Sequence, residues 1–311
     1  MLKQTTSSVL MIRPVAFTFN KETASSNAFQ YHATNFTEKE IQLKALYEFE
    51  NFAENLTAAG IEVVAVDDTL KPHTPDSISP NNWITMHHDG TVVLYPMQAA
   101  NRRLERRKDI IDLLQKKYKF TVKEVIDLSH HEKKGKYLEG TGSIVFDHPN
   151  KIAYANISPR TSEIVLKELC QKLKYDYYIF HASDAKGVPI YHTNVMLSLG
   201  DKVAIVCLES LKEASQRNEM EKKLKASGRE IINLNFQQIA FFAANILQLT
   251  NHKKEPVFAM SHQAFCGFSQ EQAGVLSKYG KLVYAPMPAF ERIGGGSARC
   301  MLAEVFLPKK K

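Results

Sequence analysis

The sequence predicts an α/β protein made of about five strand–strand–helix–strand units in one continuous domain, residues 1–311. Three observations carry this reading. Amphipathic helices and short β-rich runs alternate from end to end. Capping residues and glycines punctuate them repeatedly. Apolar residues make up 44% of the chain, yet no 18-residue apolar run occurs, so a packed core is expected and a membrane span is not. At 311 residues the length alone leaves two domains or one repeat-built domain open. The units share no obvious sequence identity, so the repeat is structural.

The elements follow in order. Residues 9–14 read as a first strand. Thr37-Glu38-Lys39-Glu40 is a capping box that opens an amphipathic helix closed by Gly60, and residues 61–66 are the next strand. Residues 83–86 and 91–95 form a hairpin through the turn His88-Asp89-Gly90. A helix near 101–118 leads to a strand at 121–128, with short strands at 144–147 and 152–156. A helix near 160–174 leads to a strand at 177–180. Strands at 194–198 and 202–207 precede a helix near 211–227 and a strand at 230–234. A helix near 236–249 leads to a strand at 257–260. Ser269-Gln270-Glu271-Gln272 caps a last helix ended by Gly280, before a strand at 281–284. Residues 301–307 alternate like a closing strand. Five such units can close into a ring, bringing positions near 80, 140, 192 and 300 to one pocket.

Composition narrows the function. Forty basic against 33 acidic residues give a net charge of +7. The densest basic groups, Arg102-Arg103 with Arg106-Arg107-Lys108 and the tail Lys309-Lys310-Lys311, read as solvated helix faces and a solubilising end. Attraction for small anionic molecules is compatible with this balance; nucleic-acid binding is not supported. The four cysteines, at 170, 207, 266 and 300, share no close spacing, so neither a disulfide framework nor a zinc site is expected. Residues 1–8 lack the features of a secretion signal, and a cytoplasmic protein with reduced thiols is the simplest reading.

One cysteine stands apart. Gly294-Gly295-Gly296-Ser297-Ala298-Arg299-Cys300 is a glycine-rich approach to a thiol. Phosphate-cradling glycine loops open a helix inside a βαβ unit, and the residues after Cys300 alternate like a strand instead. What remains is a loop delivering a thiol, with Arg299 beside it to favour the thiolate. Cys170 in a helical segment and Cys207 in an apolar strand read as core residues, and Cys266 is ambiguous. A nucleophilic thiol needs a proton-transfer partner, and His192, just ahead of an apolar strand, is a candidate with which ten other histidines compete. His87, His88, His130 and His131 read as surface residues, and no HExxH-like spacing occurs. Glu139 opens Glu139-Gly140-Thr141-Gly142-Ser143, whose glycines allow close backbone approach. Asp76 and Pro80-Asn81-Asn82-Trp83 precede a strand, with the tryptophan as packing anchor.

Taken in order, these segments resemble the guanidino-group-modifying enzymes of the pentein superfamily, which holds arginine deiminases, dimethylarginine hydrolases and amidinotransferases. The resemblance spans nearly the whole chain. Asp76 and Asn82 stand where that family has its first acidic substrate motif, followed by Tyr95-Pro96-Met97 with Arg102-Arg103 behind it. Glu139-Gly140-Thr141-Gly142 resembles its Glu-Gly-Gly-Asp motif, and Ser158-Pro159-Arg160-Thr161 its Ser-x-Arg-Thr turn. His192-Thr193-Asn194 resembles its His-x-Asp, and the glycine run its terminal cysteine loop.

The resemblance implies a five-bladed α/β propeller around a central pocket and a metal-free, cofactor-free reaction on a small amino-acid substrate. Cys300 would attack the central carbon of a guanidine or urea group. His192 would protonate the leaving amine and then activate water, and Glu139 would hold the imidazole. Arg102 and Arg160 match arginines that grip an α-carboxylate, and Asp76 would receive the α-ammonium. Two departures matter. Arginine deiminases carry carboxylates where this chain has Asn82 and Asn194; dimethylarginine hydrolases lack only the second. An amide offers both a donor and an acceptor, which suits a neutral ureido group. The chain thus resembles the citrulline-utilisation hydrolases, which would release ornithine, ammonia and carbon dioxide. Arginine deimination, amidino transfer and a non-catalytic binding module of the same fold are the alternatives.

Overall fold

The computed structural model describes residues 2–31 and 36–310; Met1 of the N-terminal segment and Lys311 of the basic tail lie outside the described residues. Its strands form five three-stranded sheets, each ordered with an antiparallel pair first and a parallel pair second. The second sheet pairs β3 (Ile84–Met86), β4 (Thr91–Leu94) and β5 (Glu124–Asp127), and the third β6 (Ile144–Asp147), β7 (Ile152–Asn156) and β8 (Asp176–Phe180). The fourth holds β9 (Leu197–Leu199), β10 (Val203–Val206) and β11 (Glu230–Asn233); the fifth holds β12 (Leu247–Thr250), β13 (Pro256–Ser261) and β14 (Lys281–Ala285). The first sheet joins the chain ends, with β15 (Ala303–Glu304) antiparallel to β1 (Ser8–Arg13) and β2 (Glu62–Asp67) parallel to β1.

A parallel pair needs a crossover, and each sheet obtains one from the helical segment between its second and third strands. In the first sheet this is Glu38–Ala58, whose expected capping box is present: Glu40 accepts from the Thr37 N–H at 2.8 Å. Ile41, Ala45, Phe49, Phe52 and Leu56 are buried at helical spacing. Burying each large side chain contributes about 1.5–3 kcal/mol, far more than the cap. First strands of neighbouring sheets touch, β15 against β3, β6 against β9 and β9 against β12. Gln4 stitches two of them, donating to Phe146 O (2.9 Å) and Leu199 O (3.2 Å). Beneath them, Arg229 and Asp147 form a buried two-pronged ion pair at 2.6 and 3.1 Å.

Most expected elements occur, and four differ. The strand expected at 194–198 begins only at Leu197, because Thr193–Val195 is a 3₁₀ turn. The stretch 236–249 is not one helix: Phe236–Ala240 is a single short helix, and the apolar run after it is β12, pairing Leu249 with Val257. A short apolar run suits helix and strand alike, and here the cross-strand partner decides. The helix near 101–118 splits into a 3₁₀ turn, Asn101–Glu105, and Lys108–Lys116. The closing strand shrinks to Ala303–Glu304, because Ala298–Met301 turns as a 3₁₀ helix before it.

Candidate active site

Short turns lead directly into the first strands: Pro80–Asn82 before β3, Gly140–Ser143 before β6, Thr193–Val195 before β9 and Ala298–Met301 before β15. They pack on one another. Gly140–Ser143 touches both Pro80–Asn82 and Thr193–Val195, and Pro80–Asn82 touches Ala298–Met301. Glycine makes this closeness possible. Gly140 has φ +44°, and a Cβ there would lie 2.2 Å from Asn81 O; a Cβ on Gly142 would lie 2.6 Å from Asn82 Nδ2 and from His192 Cε1 and Nδ1. A larger residue at Gly142 would force the Asn82 and His192 side chains to shift, and one at Gly140 would collide with backbone.

All eight predicted residues reach this region and are at most 6% exposed. Glu139 accepts from His192 Nε2 at 2.9 Å and from the Gln98 N–H at 3.0 Å. Arg160 Nη1 and Arg102 Nη1 lie 3.5 and 3.9 Å from the same carboxylate. Burial alone would raise the Glu139 carboxyl; Arg160, the bond from His192 and Arg102 outweigh it and hold the group well below the usual carboxylate range. Burial also pushes His192 down to about 4, against the pull of Glu139. The resting pair is therefore a carboxylate and a neutral imidazole. Because the carboxylate takes the proton on Nε2, the free lone pair is on Nδ1.

The two amides are oriented by their neighbours. Arg102 Nη1 donates to Asn82 at 2.9 Å, which fixes that atom as Oδ1; Nδ2 gives one hydrogen to Asn81 Oδ1 at 3.0 Å and lies on the side of Gly142 and His192. Asn194 donates from Nδ2 to Thr141 O at 3.1 Å and approaches Cys300 Sγ at 3.8 Å. Its Oδ1 is buried with no partner. A buried acceptor left unpaired costs about 1–3 kcal/mol, so this oxygen is free to take a donor.

A segment from Asn20 to Tyr31 folds across these groups. Asn20 Nδ2 donates to Asp76 at 2.8 Å, Arg160 Nη2 donates to Ser26 Oγ at 2.7 Å, and Asn27 Nδ2 donates to the Gly295 carbonyl at 3.2 Å. Tyr191 ties the same glycine from beneath, its hydroxyl donating to Gly295 O at 2.6 Å, while the Arg160 guanidinium lies over its ring at 4.9 Å.

The family model for N,N dimethylarginine dimethylhydrolase, eukaryotic, matches residues 13–307. The chain belongs to this family. No curated protein sequence matches it. Among solved structures, the apo form of ArgZ, an arginine dihydrolase from the cyanobacterial ornithine–ammonia cycle, superimposes with a TM-score of 0.72 at 17% identity. That match covers 97% of this chain, which spans 41% of the length of ArgZ. The ArgZ N-terminal domain, covalently bonded to a reaction intermediate, gives 0.71 at 17% identity over 97% of this chain and 99% of that one. A dimethylarginine dimethylaminohydrolase adduct with S-methyl-L-thiocitrulline gives 0.65 at 12% identity, covering 98% and 100%. The chain is thus homologous to hydrolases acting on C–N bonds, with a mixed α/β fold of the pentein kind.

Several expectations need correction. Arg299 does not face the thiol: it donates to Leu302 O at 2.7 Å and to Glu304 at 2.5 Å. Its side chain is used where the strand begins. Cys300 is 4% exposed in a 3₁₀ turn and not on an open loop; the exposed thiol is Cys266, 3.8 Å from His262. Cys170 and Cys207 are core residues as expected, and burial pushes both thiols up to about 12. Of the histidines read as surface, His87 is buried and pushed down to about 4 by that burial, while His131 is buried against Glu168 at 2.7 Å.

Three participants escaped sequence reasoning. Glu105 grips Arg102 through both oxygens at 2.9 and 3.0 Å, and burial pushes its carboxyl up to about 7. The segment 20–31 carries no motif. Asn245 contacts the Cys300 sulfur, and it lay hidden inside the stretch misread as a helix.

Proposed function

We propose that this chain is a cysteine hydrolase that cleaves a C–N bond of a ureido amino acid, citrulline to ornithine, ammonia and carbon dioxide. It would act as one catalytic domain, residues 1–311, a five-bladed propeller with its pocket at the centre. The observation that carries the substrate is the polarity of the two amides: Asn82 turns a donor inward, and Asn194 an unpaired acceptor. A ureido group is the complement, its oxygen accepting from Asn82 and its NH2 donating to Asn194.

The residues support a balanced reaction. The Cys300 sulfur attacks the ureido carbon, and the thiol proton passes to Nδ1 of His192. The imidazolium, steadied by Glu139, gives that proton to the departing nitrogen. Whichever nitrogen leaves first, an S-thiocarbamate remains on Cys300. His192, neutral again, then takes a proton from water as its oxygen attacks the thiocarbamate carbon. The C–S bond breaks, the sulfur recovers that proton from His192, and the carbamic acid released splits into carbon dioxide and whichever of ornithine and ammonia had not yet left. Arg102 spends Nε, Nη1 and Nη2 on Glu105 and Asn82, whereas Arg160 spends Nε and Nη2 on Ser26 and the Thr23 carbonyl of the segment 20–31. The substrate α-carboxylate would therefore fall to Arg160 by replacing those contacts, and the α-ammonium to Asp76.

Arginine deimination is the second reading, since ArgZ is named as an arginine dihydrolase. Product analysis separates the two. Ornithine from citrulline supports the proposal, whereas citrulline from arginine, with citrulline itself inert, would remove it.

A further inference from the structure

We infer that Asn245 is a catalytic residue that seats the Cys300 sulfur and stabilises its thiolate through hydrogen bonding. This rests on the reading of Cys300 as the nucleophile. The first support is the repeat itself. Asn82 lies two residues before β3, Asn194 three before β9, Cys300 three before β15, and Asn245 two before β12. Asn245 therefore occupies, in the fifth sheet, the place from which the first, second and fourth sheets present their working side chains.

The second support is geometry. Asn245 is fully buried, and its carboxamide edge faces the sulfur, with Nδ2 at 3.5 Å and Oδ1 at 3.6 Å from Sγ. The amide cannot be turned over, because Nδ2 also donates to the Asn194 carbonyl at 3.1 Å, where an oxygen would repel. Its backbone carbonyl accepts from the Arg299 N–H at 3.3 Å, so one residue ties the turn of His192 and Asn194 to that of Cys300.

The hydrogen inventory then closes. In the resting thiol, S–H donates to Oδ1. The amide is too weak a base to keep that proton, which goes to His192, and the bond pair stays on sulfur. The thiolate next accepts the second Nδ2 hydrogen of Asn245 and one from Asn194. With Arg299 turned to Glu304, neutral amide donors supply the stabilisation that a neighbouring cation gives in other reactive thiols.

The test uses the full chain in a Cys266→Ser background, which removes the exposed competing thiol. Iodoacetamide alkylation of Cys300 is followed by peptide mass mapping across pH, and the midpoint of the rate profile is read. That midpoint reports thiolate formation independently of how easily reagent enters. Asn245→Ala should raise it by about one unit and slow alkylation below it about tenfold. Asn245→Asp, nearly the same shape but with an acceptor for the donor, should raise it further. Equal midpoints in the parent and either variant would overturn the inference, as would a parent midpoint no lower than that of an ordinary free thiol. Should one variant fail to fold, the other and the parent still decide. Citrulline turnover with unmoved midpoints would sink this inference alone; shifted midpoints without turnover on citrulline or arginine would sink the functional proposal alone.

Discussion

Replacing Asn82 by Asp is the sharpest test of the ureido reading, because the structure permits the change locally while reversing what the substrate meets. The new carboxylate keeps the bond from Arg102 Nη1, now 2.9 Å to Oδ1. Its other oxygen would oppose Asn81 Oδ1, which today accepts from Asn82 Nδ2 at 3.0 Å. Asn81 can turn its amide, since its own Nδ2 has no partner. Folding should therefore survive. The substrate loses a donor to the ureido oxygen and meets a buried negative acceptor, a loss of about 3 kcal/mol. That is roughly a hundredfold in kcat/KM for citrulline. A cationic guanidinium at ~4 Å from the new charge gains up to about 4 kcal/mol at an effective dielectric near 20, before desolvation is subtracted. The arginine-to-citrulline preference should thus swing by at least about two orders of magnitude, from the citrulline loss alone. The assay measures ornithine from citrulline and citrulline from arginine under identical conditions. Unchanged citrulline turnover, with no gain on arginine, refutes the idea that the amide selects a neutral group. Adding Asn194→Asp should push the preference further in the same direction.

Other consequences follow from the same geometry. Gly142→Ala places a methyl 2.6 Å from Asn82 Nδ2 and from the His192 ring, and should cut kcat/KM at least about a hundredfold while leaving the circular dichroism spectrum intact. Arg229→Met strands the buried Asp147 carboxylate and should cost about 3–5 kcal/mol in urea unfolding; a loss under about 1 kcal/mol would show that the pair does not couple the third and fourth sheets. Stability should also peak in mildly acidic solution. His87 and His192, pushed down to about 4 by burial, bind fewer protons folded than unfolded, so their contribution is complete above pH ~6.5 and is lost as pH falls towards 4. Glu48, pushed up to about 7 by burial, holds its proton longer when folded, so its contribution is lost as pH rises from ~4.5 through 7. Melting temperature against pH checks this: His87→Gln should flatten the acid limb and Glu48→Gln the neutral limb.

Much of this protein was legible from one dimension. Capping boxes at Thr37 and Ser269 place two crossover helices, because a cap is satisfied within four residues and needs no tertiary partner. Glu139, His192 and Cys300 also stand out in the sequence, since each sits in or beside a short turn whose glycines and polar residues punctuate an otherwise apolar pattern, and the fold brings Glu139 and His192 to 2.9 Å. What sequence could not fix was direction. Arg299 adjoins Cys300 in the chain and points to Glu304, whereas Asn245, 55 residues away, touches the sulfur. The run at 246–249 has no period long enough to separate helix from strand, so pairing with β13 decided it and brought Asn245 to the head of a sheet. Local chemistry is written in neighbouring residues, but which atoms face one another is set by sheets whose strands lie far apart in sequence.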